Sequence, residues 1–76
     1  MHEAVQYPSA AEIIKFLIYT GLSHGELAEK AGVNRSTIYR IEAEGAQPRS
    51  GLARRLEALY DKRKAEFEKF REESRK

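Results

Sequence analysis

Apolar side chains recur every three or four residues along most of the chain, which is the period of an α-helix. Ser9 with Glu12 and Ser23 with Glu26 have the spacing of a capping box, in which each side chain bonds the backbone of the other residue at a helix start. Glycines close the segments, as they commonly close helices. No stretch carries the signal of a strand. The predicted helices cover residues 10–20, 24–31 and 35–44, followed by a fourth that begins near Pro48, or after Ser50 as its cap.

The last part of the chain, residues 61–76, is rich in both charges and contains no Gly or Pro. Opposite charges four residues apart, such as Lys62 and Glu66, each support a helix by about 0.2–0.5 kcal/mol. A heptad-like stripe runs through it, too short for a coiled coil and interrupted by an arginine: Leu56, Tyr60, Arg63, Phe67 and Phe70. The predicted fold class is therefore all-α, a compact bundle of four to five helices with an extended C-terminal helix. We divide the chain into a flexible arm (1–8), a helical domain (9–60) and a charged helical extension (61–76).

Residues 24–43 meet the demands of two helices joined by a tight turn. The first helix needs apolar residues facing the core and a small residue where the second helix crosses it. The turn needs a glycine with positive φ, which costs glycine little, and an apolar residue that fills the turn. An ordinary helical hairpin with a glycine turn is the alternative. The residues that meet these demands in register are Leu27, Ala28, Ala31, Gly32, Val33, Ile38 and Ile41.

The run GLSHGELAEKAGVNRSTIYRIEAEGAQP resembles the helix-turn-helix of the lambda repressor/Cro superfamily, often called the Xre family. The resemblance covers about residues 12–60. It implies a compact bundle of four or five helices, sequence-specific operator binding, transcriptional regulation and commonly a dimer. Residues 34–44 correspond to the recognition helix, whose N-terminal part enters the major groove.

The resemblance also implies which side chains contact DNA. Arginine can pair with guanine O6 and N7, the commonest specific contact, and a histidine at the start of the first motif helix can hold a phosphate together with the helix N-terminus. The alternative for each residue is an ordinary solvated surface. The expected base contacts are Arg35, Ser36, Tyr39 and Arg40. The expected phosphate contacts are His24, Asn34, which can also cap the third helix, Thr37, Gln47 and Arg49.

The chain departs from the family pattern at two positions around the recognition helix. Many members have an arginine in the first helix that pairs with a glutamate matching Glu42, but here the equivalent residue is Leu17. Glu42 therefore needs another partner or stays exposed. The glycine that often follows this glutamate closely is delayed to Gly45, so the recognition helix is expected to run one residue longer.

The first helix is also unusually apolar. Beside the normal core stripe, Ile13, Phe16 and Tyr19 form a second apolar surface that a three-layer bundle does not bury. A surface of this kind needs a partner. We expect Phe67 and Phe70 of the extension to pack on Ile13 and Phe16, within one chain or across a dimer. The alternative is a solvated charged helix with two loosely buried phenylalanines.

Charge and composition narrow the function. The formal net charge is +2, and the arginines begin at Arg35, after an acidic front, which indicates one basic surface. There is no cysteine and only two histidines, so we expect no metal site, no cofactor and no enzyme activity. No signal peptide or membrane span is predicted, which suits the cytoplasm of a prokaryotic cell or phage-infected host.

The leading interpretation is a repressor that binds a palindromic double-stranded operator as a homodimer. The alternative is a protein-interaction module such as an antitoxin.

Overall fold

The computed structural model describes residues 7–74 as four α-helices, with no strand in that range. They are α1 (Ala10–Tyr19), α2 (His24–Ala31), α3 (Arg35–Glu44) and α4 (Ser50–Ser74). The all-α fold is confirmed, and the bounds of the first three helices agree with the prediction to within one residue. The predicted fourth helix and the charged extension form one continuous helix of 25 residues. Residues 1–6 of the predicted arm and residues 75–76 lie outside the described part.

The first two helices begin with the predicted capping boxes. Ser9 Oγ accepts from the backbone N–H of Glu12 at 3.2 Å. Ser23 Oγ accepts from the N–H of Glu26 at 3.1 Å, and the Glu26 carboxylate accepts from the Ser23 N–H at 3.0 Å. The backbone N–H of Ser23, followed by its hydroxyl, holds the pKa of Glu26 below its ordinary value, because hydrogen bonds to the carboxylate favour its ionised form. Local hydrogen bonds therefore set the direction in which the chain enters α1 and the direction in which it enters α2.

The starts of α3 and α4 differ from the prediction in their caps. Asn34 occupies the N-cap position of α3, but its side chain makes no capping hydrogen bond. Ser50 is the first residue of α4 and not its cap, because the backbone N–H of Ala53 already bonds the carbonyl of Arg49 at 2.8 Å. At the other end of α3, Gly45 follows Glu44 with φ 69°, which confirms the longer recognition helix.

Every helix contributes to one hydrophobic core. Its most deeply buried large side chains, each 0% exposed, are Ile14 and Leu17 from α1, Leu27 from α2, Ile38 from α3 and Leu56 from α4. Complete burial of such a side chain contributes about 1.5–3 kcal/mol. The core therefore holds α2 and α3 in a fixed position relative to each other, and side chains from α1 and α4 belong to the same core.

The prediction of a second apolar surface on α1 was wrong for Ile13. Ile13 is only 2% exposed and belongs to the core, because α1 packs against both α3 and α4 and so buries a wider stripe than a simple layer does. Phe16 is half-buried, with its ring edge-on to Tyr60 at 5.1 Å and to Phe67 at 6.5 Å. Tyr19 is 83% exposed. Phe16 and Phe67 therefore meet within one chain, whereas Phe70, which was predicted to pack on the same surface, is 66% exposed.

Two polar contacts fasten the ends of α1 to α4. Arg63 Nε donates to Thr20 Oγ1 at 3.1 Å, and its Nη2 donates to the Thr20 carbonyl just beyond α1. Near the start of α1, the Tyr7 hydroxyl donates to the Asp61 carboxylate at 2.6 Å. The arginine in the apolar stripe thus bonds the end of α1, and Tyr7, within the predicted arm, is tied to α4.

Candidate nucleic-acid interface

The turn between α2 and α3 has the predicted left-handed glycine. Gly32 has φ 72° and ψ 32°, and the next residue, Val33, donates its N–H to the carbonyl of Ala28 at 3.0 Å. Arg55 of α4 donates to the carbonyl of Ala31 at 3.0 Å. A Cβ on Gly32 would lie 2.7 Å from Arg55 Nη1. Gly32 is therefore required by the backbone conformation, and a side chain there would also displace the Arg55 guanidinium.

The inner side of this helix pair is apolar and the outer side is polar. The predicted inward residues of α2 and α3 are buried, and Val33 packs against them. On α3, the side chains that face away from Ile38 and Ile41 are exposed, and Tyr39 is 48% exposed. The exposed face comprises all four predicted base-contact residues: Arg35, Ser36, Tyr39 and Arg40. A helix held on one side by the core thus presents two cations, a hydroxyl and an aromatic ring on the other.

His24, the first residue of α2, contacts this face directly. Its imidazole stacks on the Tyr39 ring with centroids 4.3 Å apart and planes 13° from parallel. Its Nε2 lies 2.8 Å from Oε1 of Glu42. Because a carboxylate can only accept, Nε2 carries the proton in this bond. In the neutral tautomer Nδ1 is then an acceptor, so the side chain can donate to a phosphate through Nδ1 only as the imidazolium.

Leu17, which stands where many family members have the arginine that pairs with this glutamate, is fully buried in the core. Glu42 bonds His24 instead. The partner of Glu42 comes from α2 and not from α1. Sequence reasoning missed it, although Tyr39 and Glu42 lie three residues apart on α3 and so face the same neighbour. The sequence signal that could have predicted the contact is a polar residue at the start of α2 together with two residues three positions apart on α3 that can both reach it.

Arg35 lies against the first turn of α2. A Cβ on Gly25 would come within 2.9 Å of Arg35 Nη2, so the absence of a side chain at Gly25 leaves room for the guanidinium. Two residues at the start of α2 therefore contact the exposed face of α3: His24 stacks on Tyr39, and Gly25 lies against Arg35.

The predicted phosphate contacts do not all lie together. A groove between α3 and the start of α4 is lined by three of them, together with Arg40, which was predicted to contact a base. Asn34 and His24 lie outside this groove, at the starts of α3 and α2. The predicted residues in the groove are Thr37, Arg40, Gln47 and Arg49. The groove and the α3 face meet at Arg40, so cationic side chains continue from one to the other.

A family model described as helix-turn-helix, of the lambda repressor-like (Xre) type, matches residues 8–67. The chain belongs to the lambda repressor-like helix-turn-helix family. This is a family of DNA-binding regulatory domains, and the match extends through the first two-thirds of α4. Searches of curated proteins and of solved structures found no match.

Two further features bear on the kind of site. Within residues 7–74, no group of three or more His, Asp or Glu side chains is arranged to hold a metal ion. In the same part of the chain, no helix has both the length and the hydropathy needed to cross a bilayer.

Proposed function

We propose that this protein is a sequence-specific regulator of transcription, a repressor that reads the major groove of double-stranded DNA with α3. The observation that carries the proposal is the exposed face of α3, on which Arg35, Ser36, Tyr39 and Arg40 stand opposite a fully buried face. A recognition helix needs this division, because its inner face must be held rigidly while its outer face meets the base edges. Such a regulator acts where the DNA is, in the cytoplasm of a prokaryotic cell or an infected host.

The α3 side chains suit base recognition. Arg35 and Arg40 can each present two donors to guanine O6 and N7, a contact that discriminates by about 1–3 kcal/mol. Ser36 can bond either a base edge or a phosphate. The apolar ring of Tyr39 can meet a thymine methyl group. In this assignment the four residues supply the sequence preference.

The surrounding residues suit the phosphate backbone. Gln47 and Arg49 lie in the loop between α3 and α4 and share a groove with Arg40. Asn34 is exposed, and its side chain makes no capping bond, which leaves its amide available for a phosphate. Contacts of this kind orient the protein and carry no sequence information themselves.

The repressor is proposed to act as a homodimer on a palindrome. A dimer presents two recognition helices to half-sites about 34 Å apart on one face of the duplex. The charged extension of α4 is the proposed dimerisation element, with Phe67 40% exposed along it. Sedimentation equilibrium should give twice the 8.7 kDa mass of the chain, and a single-chain mass at micromolar concentration would exclude this part of the proposal.

The assignment of base and phosphate contacts is tested with three variants of equal charge change. Arg35→Ala should lower discrimination at one base pair by about 1–3 kcal/mol. Arg49→Ala should weaken binding to all sequences evenly and lower the slope of log K against log salt by about 1. Lys15→Ala, which removes an exposed cation of α1, is the control and should change neither. Equal effects of all three on every duplex would refute the assignment.

A second candidate function is a protein-interaction module, either instead of DNA binding or together with it. Tyr19 is 83% exposed at the end of α1, and Phe67 is exposed on α4; neither belongs to the α3 face. Large exposed aromatic residues of this kind are enriched at protein interfaces. Tyr19→Ser distinguishes the two functions, because it should leave DNA binding intact and reduce binding of a protein partner.

A further inference from the structure

We propose that His24 is a positioning residue for base recognition, which holds the Tyr39 ring in one orientation on the DNA-facing side of α3. The inference rests on the proposed function and deepens it, since it concerns how one of the four side chains of that face is kept ready. His24 acts here through Tyr39 and not through its own contact with a base.

The first observation is the stack. The two rings are nearly parallel, 13° apart, with centroids 4.3 Å apart, so the imidazole covers one face of the phenol ring. Tyr39 is nevertheless 48% exposed. A side chain on a helix surface ordinarily samples more than one rotamer. Contact on one face selects the rotamer in which the rings touch and leaves the remainder of the phenol ring open to the groove.

The second observation is that the imidazole is itself held. The side chains of His24 and Glu42 are each only 24% exposed, and the 2.8 Å bond joins them. This bond fixes both the rotation of the imidazole and the nitrogen that carries the proton. Glu42 lies one helical turn beyond Tyr39 on α3. The same helix therefore supplies both the group that orients His24 and the ring that His24 orients.

The consequence is a preorganised apolar contact. Base readout by an aromatic ring requires the ring to meet a thymine methyl group in a fixed place. A ring that is already immobilised loses less conformational entropy when DNA binds. The preference for an A·T pair at the position read by Tyr39 should therefore depend on His24, although His24 does not touch that base.

The test separates the stack from the hydrogen bond. His24→Phe keeps an aromatic ring against Tyr39 and loses the bond to Glu42. His24→Gln keeps a donor for Glu42 and loses the ring. Tyr39→Ala identifies the base pair concerned, and Lys30→Gln, on the exposed side of α2, is the control. Each variant is assayed by melting temperature, by binding to the selected site and to each single-base-pair substitution of it, and by NMR of the Tyr39 ring protons.

The His24→Gln variant should lower discrimination at the Tyr39 base pair about 2- to 10-fold, the range expected for the loss of an aromatic pair. Discrimination at the other positions should stay as in the unmodified protein. His24→Phe should retain the preference at the Tyr39 base pair even where its overall affinity falls. In the protein without DNA, the ring-current shift of the Tyr39 protons should disappear in His24→Gln and persist in His24→Phe.

Other outcomes would overturn the proposal in distinguishable ways. If His24→Gln weakens binding to every sequence equally, His24 contacts phosphate only. If the Tyr39 ring signals are the same in His24→Gln and the unmodified protein, His24 does not orient the ring. If the unmodified protein selects no sequence, the proposed function fails and the positioning role fails with it, whatever the ring signals show.

Discussion

The hydrogen bonds between Arg63 and the end of α1 should stabilise the fold by a measurable amount. Arg63→Met removes the guanidinium that donates to the hydroxyl and the carbonyl of Thr20 while keeping a long apolar stem. Hydrogen bonds of charged groups contribute about 1.5–3 kcal/mol, and a cation at a helix C-terminus contributes about 0.3–1 kcal/mol. The Arg63 side chain is 34% exposed, so solvent reduces these values. We expect a loss of about 1–2 kcal/mol.

This loss is large for a chain of 76 residues, whose free energy of unfolding should be about 4–11 kcal/mol. The melting temperature should fall by about 4–16 °C. Urea unfolding followed by circular dichroism measures the change, with Arg54→Met, at an exposed position inside α4, as the control of equal charge change and Arg63→Lys as the variant that keeps the charge but loses the planar fork. Equal unfolding midpoints for Arg63→Met and Arg54→Met would show that the bonds to Thr20 do not stabilise the fold.

Three further predictions concern the helix starts and the Tyr7 contact. Gly25→Ala should leave the melting temperature unchanged or raise it, because Ala favours a helix by up to about 1 kcal/mol, yet it should weaken specific DNA binding by displacing Arg35; unchanged binding in titrations would contradict this. Ser23→Ala removes the cap of α2 and should cost about 1 kcal/mol in urea unfolding, and a cost near zero would count against it. The bond to Asp61 raises the pKa of Tyr7, because it favours the protonated phenol. Its stabilising effect is therefore present below the ordinary value of 10.0 and lost as pH rises through the raised pKa. The melting-temperature difference from Tyr7→Phe should shrink over that range, and a constant difference would exclude the bond.

The helices and the turn could be predicted from the sequence because their signals are local. Ser23 and Glu26 cap α2 within four residues, and Gly32 is required by the backbone conformation of the turn itself. The outward face of α3 followed from its period once Ile38 and Ile41 were assigned inward. These features depend on spacing along one helix, which a sequence displays directly.

The contacts between helices could not be predicted in the same way. Ile13 was assigned to a second apolar surface covered by Phe67 and Phe70, and not to the core, because the sequence does not tell that α1 packs against both α3 and α4. Arg63 looked like an interruption of an apolar stripe, since its partner, Thr20, lies 43 residues away. The His24 contact with Glu42 joins two helices across 18 residues. Each of these depends on how helices are arranged in space, which periodicity does not determine.

Selection of binding sites from a random duplex pool at two salt concentrations shows whether α3 reads a DNA sequence. We expect enrichment of a short palindrome, with half-site centres about 10 base pairs apart, that persists at the higher salt. Failure to enrich any motif, with binding that disappears at moderate salt, would mean that the contacts are only electrostatic and that α3 reads no sequence.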